Sequence, residues 1–133
     1  MPARKEEGML NLNTVMIGTE DREPLVSFYT KVLGDPSWRD EGYVGWLAGS
    51  AMLFIGYHSE VKGQNEMPGR IILNFETQDV KGEFERIKEL GATVVAEPYQ
   101  PGGEADGATE MWLATFQDPD GNFFQLASPM PAQ

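Results

Sequence analysis

The feature that most constrains this chain is a pattern that runs twice. Residues 11–17 alternate polar and apolar side chains and read as a strand, with Leu12 and Met16 toward the core and Asn13, Val15 and Ile17 facing the other way. Asp21 suits a helix N-cap, with Pro24 in the first turn. Leu25, Phe28, Tyr29 and Val32 then fall at helical spacing, and Leu33-Gly34 closes a helix expected over 22–33. Trp38, Tyr43, Val44, Trp46 and Leu47 follow in short strand-like pieces. Gly49-Ser50 reads as a hairpin turn before a return strand at 51–57. The order then restarts. Residues 70–76 read as a strand, Thr77 or Asp79 as a cap, and Val80, Phe84 and Ile87 as the apolar stripe of a helix over 80–90. Thr93-Val94-Val95-Ala96 is a further strand, ended by Pro98. The Leu-Gly closing each helix recurs 57 positions on, 33–34 against 90–91. The same offset sets Asn13 on Arg70. Such a duplication outweighs local propensity in deciding a fold.

Each copy has strands in one layer and a helix behind them, so the class is α+β. The expectation is two βαβββ modules, residues 9–57 and 70–129, joined by a polar, mobile loop at 58–69 within a single domain spanning 9–133. Their strands form one curved mixed sheet with the helices outside, and its inner face is left for a ligand. Residues 1–8 are charged and read as a disordered lead-in rather than a signal peptide. Residues 99–109 are rich in Gly and acid and read as flexible.

Composition narrows the partners. Ten basic against twenty-one acidic residues give a net charge of −11. That disfavours nucleic acid and anionic membranes, whose phosphates call for Lys and Arg. No apolar run approaches the roughly 20 residues that span a bilayer. The absence of cysteine removes disulfide and thiol chemistry and suits a cytoplasmic protein.

The most ordered stretch is the last. Asp118-Pro119-Asp120-Gly121 is a tight turn: Pro119 presets φ, the Asp side chains bond the turn backbone, and Gly121 accepts φ > 0. Aromatic residues flank it on both sides, so residues 116–128 read as a hairpin. In its second strand Phe124 and Leu126 point one way, and Phe123, Gln125 and Ala127 the other. A glutamine at 125 suggests a sheet face that looks onto something wet or liganded.

The helix ending Phe28-Tyr29-Thr30-Lys31-Val32-Leu33-Gly34, together with Phe116-Gln117-Asp118-Pro119-Asp120-Gly121-Asn122 before a last strand, resembles the vicinal oxygen chelate superfamily. That group holds glyoxalases, extradiol dioxygenases, epimerases and bleomycin-resistance proteins, and the likeness covers residues 9–129. It implies the glyoxalase/bleomycin resistance/dioxygenase fold and a homodimer. It also implies a trough in which the family's enzymes hold a divalent metal through His, Glu or Gln side chains. By this resemblance the four ligand positions fall at Asn13, Phe54, Arg70 and Gln125. None is a His or carboxylate, Phe54 cannot ligate, and Arg70 repels a cation. The expectation is therefore no metal and no cofactor.

Single residues keep two readings each. Arg70 is either half of an ion pair with Glu110 or Glu76, or the cationic anchor of a ligand. Asn13 and Gln125 are either a satisfied amide pair or ligand contacts. Trp38, Trp46, Trp112, Tyr43 and Tyr57 either pack in a core or dimer contact, or line the trough. His58 is a loop residue or a proton shuttle. The expected ligand-binding set is Asn13, Trp46, Phe54, Arg70, Trp112 and Gln125. The function expected first is a metal-free, bleomycin-resistance-like module that binds a small organic molecule, anionic or aromatic. The alternative is a lyase, isomerase or dioxygenase of the same superfamily, independent of metal or weakly dependent on it.

Overall fold

The computed structural model describes residues 9–102 and 111–130. The lead-in, residues 103–109 of the acid-rich stretch, and Glu110 lie outside the described residues. The chain divides into two compact units, Met1–Lys62 and Gly63–Gln133.

The first unit runs β1 (Thr14–Thr19), α1 (Arg22–Leu33), β2 (Trp38–Arg39), β3 (Tyr43–Ala48) and β4 (Ala51–Tyr57). The second repeats the order as β5 (Leu73–Glu76), α2 (Val80–Glu89), β6 (Thr93–Tyr99), β7 (Leu113–Gln117) and β8 (Phe123–Ala127). Each βαβββ unit has its own mixed four-stranded sheet, in the orders β1-β4-β3-β2 and β5-β8-β7-β6. β1 pairs parallel to β4 and β5 parallel to β8, while the other neighbours are antiparallel.

The two helices start and stop by the same devices. Asp21 and Asp79 are the N-caps, and their side chains accept from the backbone N–H of Glu23 and Gly82. Behind each cap a threonine hydroxyl accepts from the cap's own N–H, Thr19 from Asp21 at 3.3 Å and Thr77 from Asp79 at 3.1 Å. Gly34 and Gly91 close the helices at φ +96° each, where a Cβ would be strained. The repeat therefore has two offsets. Gly34 to Gly91 is 57 positions, but Asp21 to Asp79 is 58, because the second helical segment is one residue shorter between cap and closing glycine. On the strand side of the helix the equivalent of Met16 is Asn74.

Packing follows the helix stripes. Leu25, Val26, Tyr29 and Val32 of α1 are buried with Val44, Trp46, Leu53 and Ile55 of the sheet. In the second unit Val80, Phe84 and Ile87 are buried with Ala114, Phe116, Phe124 and Leu126. Phe116 stacks between Phe84 at 5.2 Å and Phe124 at 5.4 Å. Burial of these aliphatic and aromatic side chains is the main favourable contribution to folding in each unit.

Three expectations are corrected here. Val15 and Ile17, not Met16, lie on the helix side of β1, since they pair with the buried Leu53 and Ile55. Met16 is 45% exposed on the opposite face. Arg70 opens no strand: it sits in a bend whose backbone N–H donates to Met67, three residues before β5 begins. The loop expected as mobile at 58–69 is tied down over part of its length. The Asn65 backbone N–H donates to the Asp120 carbonyl at 2.8 Å, and its side chain to Asn122 at 2.9 Å. Gln64 donates to the Pro119 carbonyl at 2.9 Å. The hairpin turn can hold that segment because Asp118 is itself held, its carboxylate accepting from the backbone of Asp120 and Asn122 and from the Asn122 amide.

Candidate functional site

In each unit one sheet face is covered by the helix and the other is open. Cross-strand register identifies which side chains share the open face, because directly paired residues point the same way. In the first unit one row runs across all four strands: Met16, Phe54, Gly45 and Trp38. A second row holds Gly18, Gly56 and Tyr43, and a third Thr14, Met52 and Leu47.

The glycines decide how this face is built. A Cβ on Gly45 would meet the Phe54 ring, and one on Gly56 the Tyr43 ring, each at 2.5 Å or less. Each ring therefore fills the space above bare backbone that a neighbouring side chain would otherwise take. They meet edge to face at 6.5 Å. Asp40 orders the turn that follows Trp38, its carboxylate accepting from the backbone N–H of Tyr43 and Gly42 at 2.8 Å each. These bonds favour the ionised form, Tyr43 first, and hold the Asp40 carboxyl below the ordinary aspartate range. The result is a shallow aromatic and aliphatic floor, with Trp38 at 54%, Tyr43 at 40% and Leu47 at 60% exposure.

The matching row of the second unit is Asn74, Gln125, Thr115 and Ala96. The Gln125 side chain donates to the Thr115 hydroxyl at 3.0 Å. Glu76 shares this face, paired with Ala127.

The expected ligand set is thus dispersed. Phe54 and Gln125 lie on the open faces of their units. Asn13 precedes β1, is exposed, and accepts from the Thr14 hydroxyl; the open-face position belongs to Thr14 instead. Trp46 is corrected to a core residue: it is 1% exposed, and its indole donates to the Gly34 carbonyl at 2.9 Å, bracing the end of α1. Trp112 is likewise on the helix side, with the Lys81 ammonium of α2 3.9 Å from its ring centroid. Arg70 is exposed, its guanidinium 3.6 Å from the Met67 sulfur. His58 caps its own loop, its Nδ1 accepting from the Glu60 backbone N–H at 3.1 Å. Sequence reasoning missed Met16, Asn74 and Thr115. The available signal was the pair of glycines inside aromatic strands, which fixes the register of the open face.

The chemistry of these side chains does not fit a divalent metal. The open faces offer amides, hydroxyls, thioethers and rings, with the Glu76 carboxylate on the second unit's face. Among the described residues no three His, Cys, Asp or Glu side chains group as ligands would.

The family model of the glyoxalase-like domain matches residues 14–127, and the chain belongs to that family. It is 27% identical over 126 residues to the uncharacterized protein YetH of Bacillus subtilis, covering 86% of this chain and 95% of that one. Among solved structures it is similar to a glyoxalase-related enzyme from Fulvimarina pelagi, with TM-score 0.70, 19% identity, and 93% and 94% of the two chains covered. It is also similar to a glyoxalase/bleomycin resistance protein/dioxygenase family enzyme from Burkholderia phytofirmans, with TM-score 0.69, 22% identity, and 91% and 100% covered. At these identities the structural likeness establishes the vicinal oxygen chelate fold. No helix of the described residues is long and apolar enough to cross a membrane.

Proposed function

We propose that this protein binds a small organic molecule through a flat apolar or aromatic group laid on the open face of its first unit, without a divalent metal. The observation that carries this reading is the aromatic floor itself. Phe54 fills the space over Gly45, Tyr43 that over Gly56, and Asp40 holds the turn between Trp38 and Tyr43. Rings fixed in this way give a preset aromatic contact surface at little entropic cost, because their orientation is set before a ligand arrives. Asp40 and Arg22, the charged groups hydrogen-bonded at its margin, engage each other, the Arg22 guanidinium donating to the Asp40 carbonyl. The same reading takes the protein as a homodimer, which sedimentation equilibrium checks directly.

The test uses a neutral bicyclic probe, 2-naphthol, followed by fluorescence titration. Wild type should bind saturably. Phe54→Ala should weaken binding about tenfold, the upper end of what one aromatic contact contributes beyond area. Gln125→Ala, in the other unit, should leave it unchanged. Equal affinity of wild type and Phe54→Ala would sink the proposal.

A further inference from the structure

We propose that the open face of the second unit recognises a ligand group in which an N–H and a carbonyl stand side by side, as in a lactam, imide or other cis-amide. This deepens the small-molecule reading above and rests on it.

The site is the row Asn74–Gln125–Thr115. Gln125 is central, on β8, with Asn74 beside it on β5 and Thr115 beside it on β7. Thr115 is 5% exposed, so its hydroxyl is withdrawn from water and available to a protein partner. Gln125 is that partner: its Nε2 donates to the Thr115 Oγ1 at 3.0 Å. The bond fixes the amide plane and directs the nitrogen toward β7, which turns Oε1 toward β5. There Asn74 carries the second amide, with one N–H lightly engaged by the Ile72 carbonyl at 3.4 Å. Parallel neighbours lie about 4.8 Å apart. One oriented acceptor and one donor on neighbouring strands can converge on the two polar atoms along one edge of a cis-amide, which lie closer together than the strands do.

Other ligand classes fit this row less well. A carboxylate or phosphate needs a cation, and the row has none, while Glu76 stands two positions from Asn74 on the same face. A purely apolar group would cover the Gln125 carbonyl and leave it unpaired, a loss that a neutral donor avoids. A neutral donor–acceptor pair meets both conditions.

The test is a titration of isotope-labelled protein with succinimide and, separately, with N-methylsuccinimide, followed through the side-chain amide signals of Asn74 and Gln125. Succinimide should shift both sets saturably; the N-methyl compound, which lacks the donor, should not. Thr115→Val keeps the volume and releases the Gln125 amide, so succinimide affinity should fall about tenfold. Thr115→Ser should restore it, which a merely structural role for the methyl group would not predict. If Thr115→Val does not fold, Gln125→Leu takes its place and should abolish the imide response while 2-naphthol binding at the first unit persists. Equal response to both imides, or shifts that bypass Asn74 and Gln125, overturns the inference. 2-Naphthol binding without a succinimide response overturns it alone and leaves the aromatic reading standing.

Discussion

The two units share strand order, helix caps and closing glycines, yet their equivalent open rows have opposite chemistry. Met16–Phe54–Gly45–Trp38 in the first unit corresponds to Asn74–Gln125–Thr115–Ala96 in the second. What the copies retain is what folding requires: a buried helix stripe, a cap and a stop. The open row has no such duty, so it can hold rings in one copy and amides in the other. Fold determinants and the proposed binding surfaces thereby lie on opposite faces of the same strands.

The comparison can be broken first on the side where the units are alike. Trp46→Ala and Phe116→Ala each remove a ring that is fully buried against its helix, and each should cost about 3–5 kcal/mol in denaturant unfolding. A large cost in one unit with almost none in the other would mean the cores are not equivalent. The second test concerns the face peculiar to the first unit. Gly45→Val places a branched side chain where the Phe54 ring lies, which should cost about 1–3 kcal/mol and abolish 2-naphthol binding. Retained binding would show that the ring does not need its glycine bed. The smallest effect concerns Asp40. Its folded value is depressed, so its bonds to Tyr43 and Gly42 are complete above the ordinary aspartate value of 3.8 and are lost as pH falls through the lower folded value. Naphthol affinity should be flat above that range and decline within it, with far-UV circular dichroism verifying that the fold persists. Asp40→Ala should show the weakened affinity at neutral pH, and no difference there would detach the turn between Trp38 and Tyr43 from the binding surface.

Much of the fold was legible because its determinants are local. Asp21, Asp79 and the two Leu-Gly stops act within a turn of their own helices, and the strand order follows once the repeat is seen. The site was less legible because it depends on register. An offset read at Gly34 and Gly91 is one short at Asp21 and Asp79, and one residue inverts a strand face. That single step equated Asn13 with Arg70 and turned attention from Thr14, Met16 and Asn74. The tryptophans misled for a different reason. Trp46 and Trp112 carry polar N–H groups, but whether an indole faces a helix or the open side depends on strand parity, and parity is set by partners far along the chain. The order in residues 63–67 was hidden for the same reason, since Gln64 and Asn65 bond to a turn more than fifty positions away.

The glycine bed under Phe54 and Tyr43 has an evolutionary consequence. Each ring occupies the space a neighbouring Cβ would otherwise take, so shortening the ring residue opens a depression without moving the backbone. A lineage carrying this sheet has two plugged hollows, each one codon change from being vacated. New selectivity can then arise by subtraction at positions 43 and 54, while the helix-side core that keeps the chain folded is left untouched.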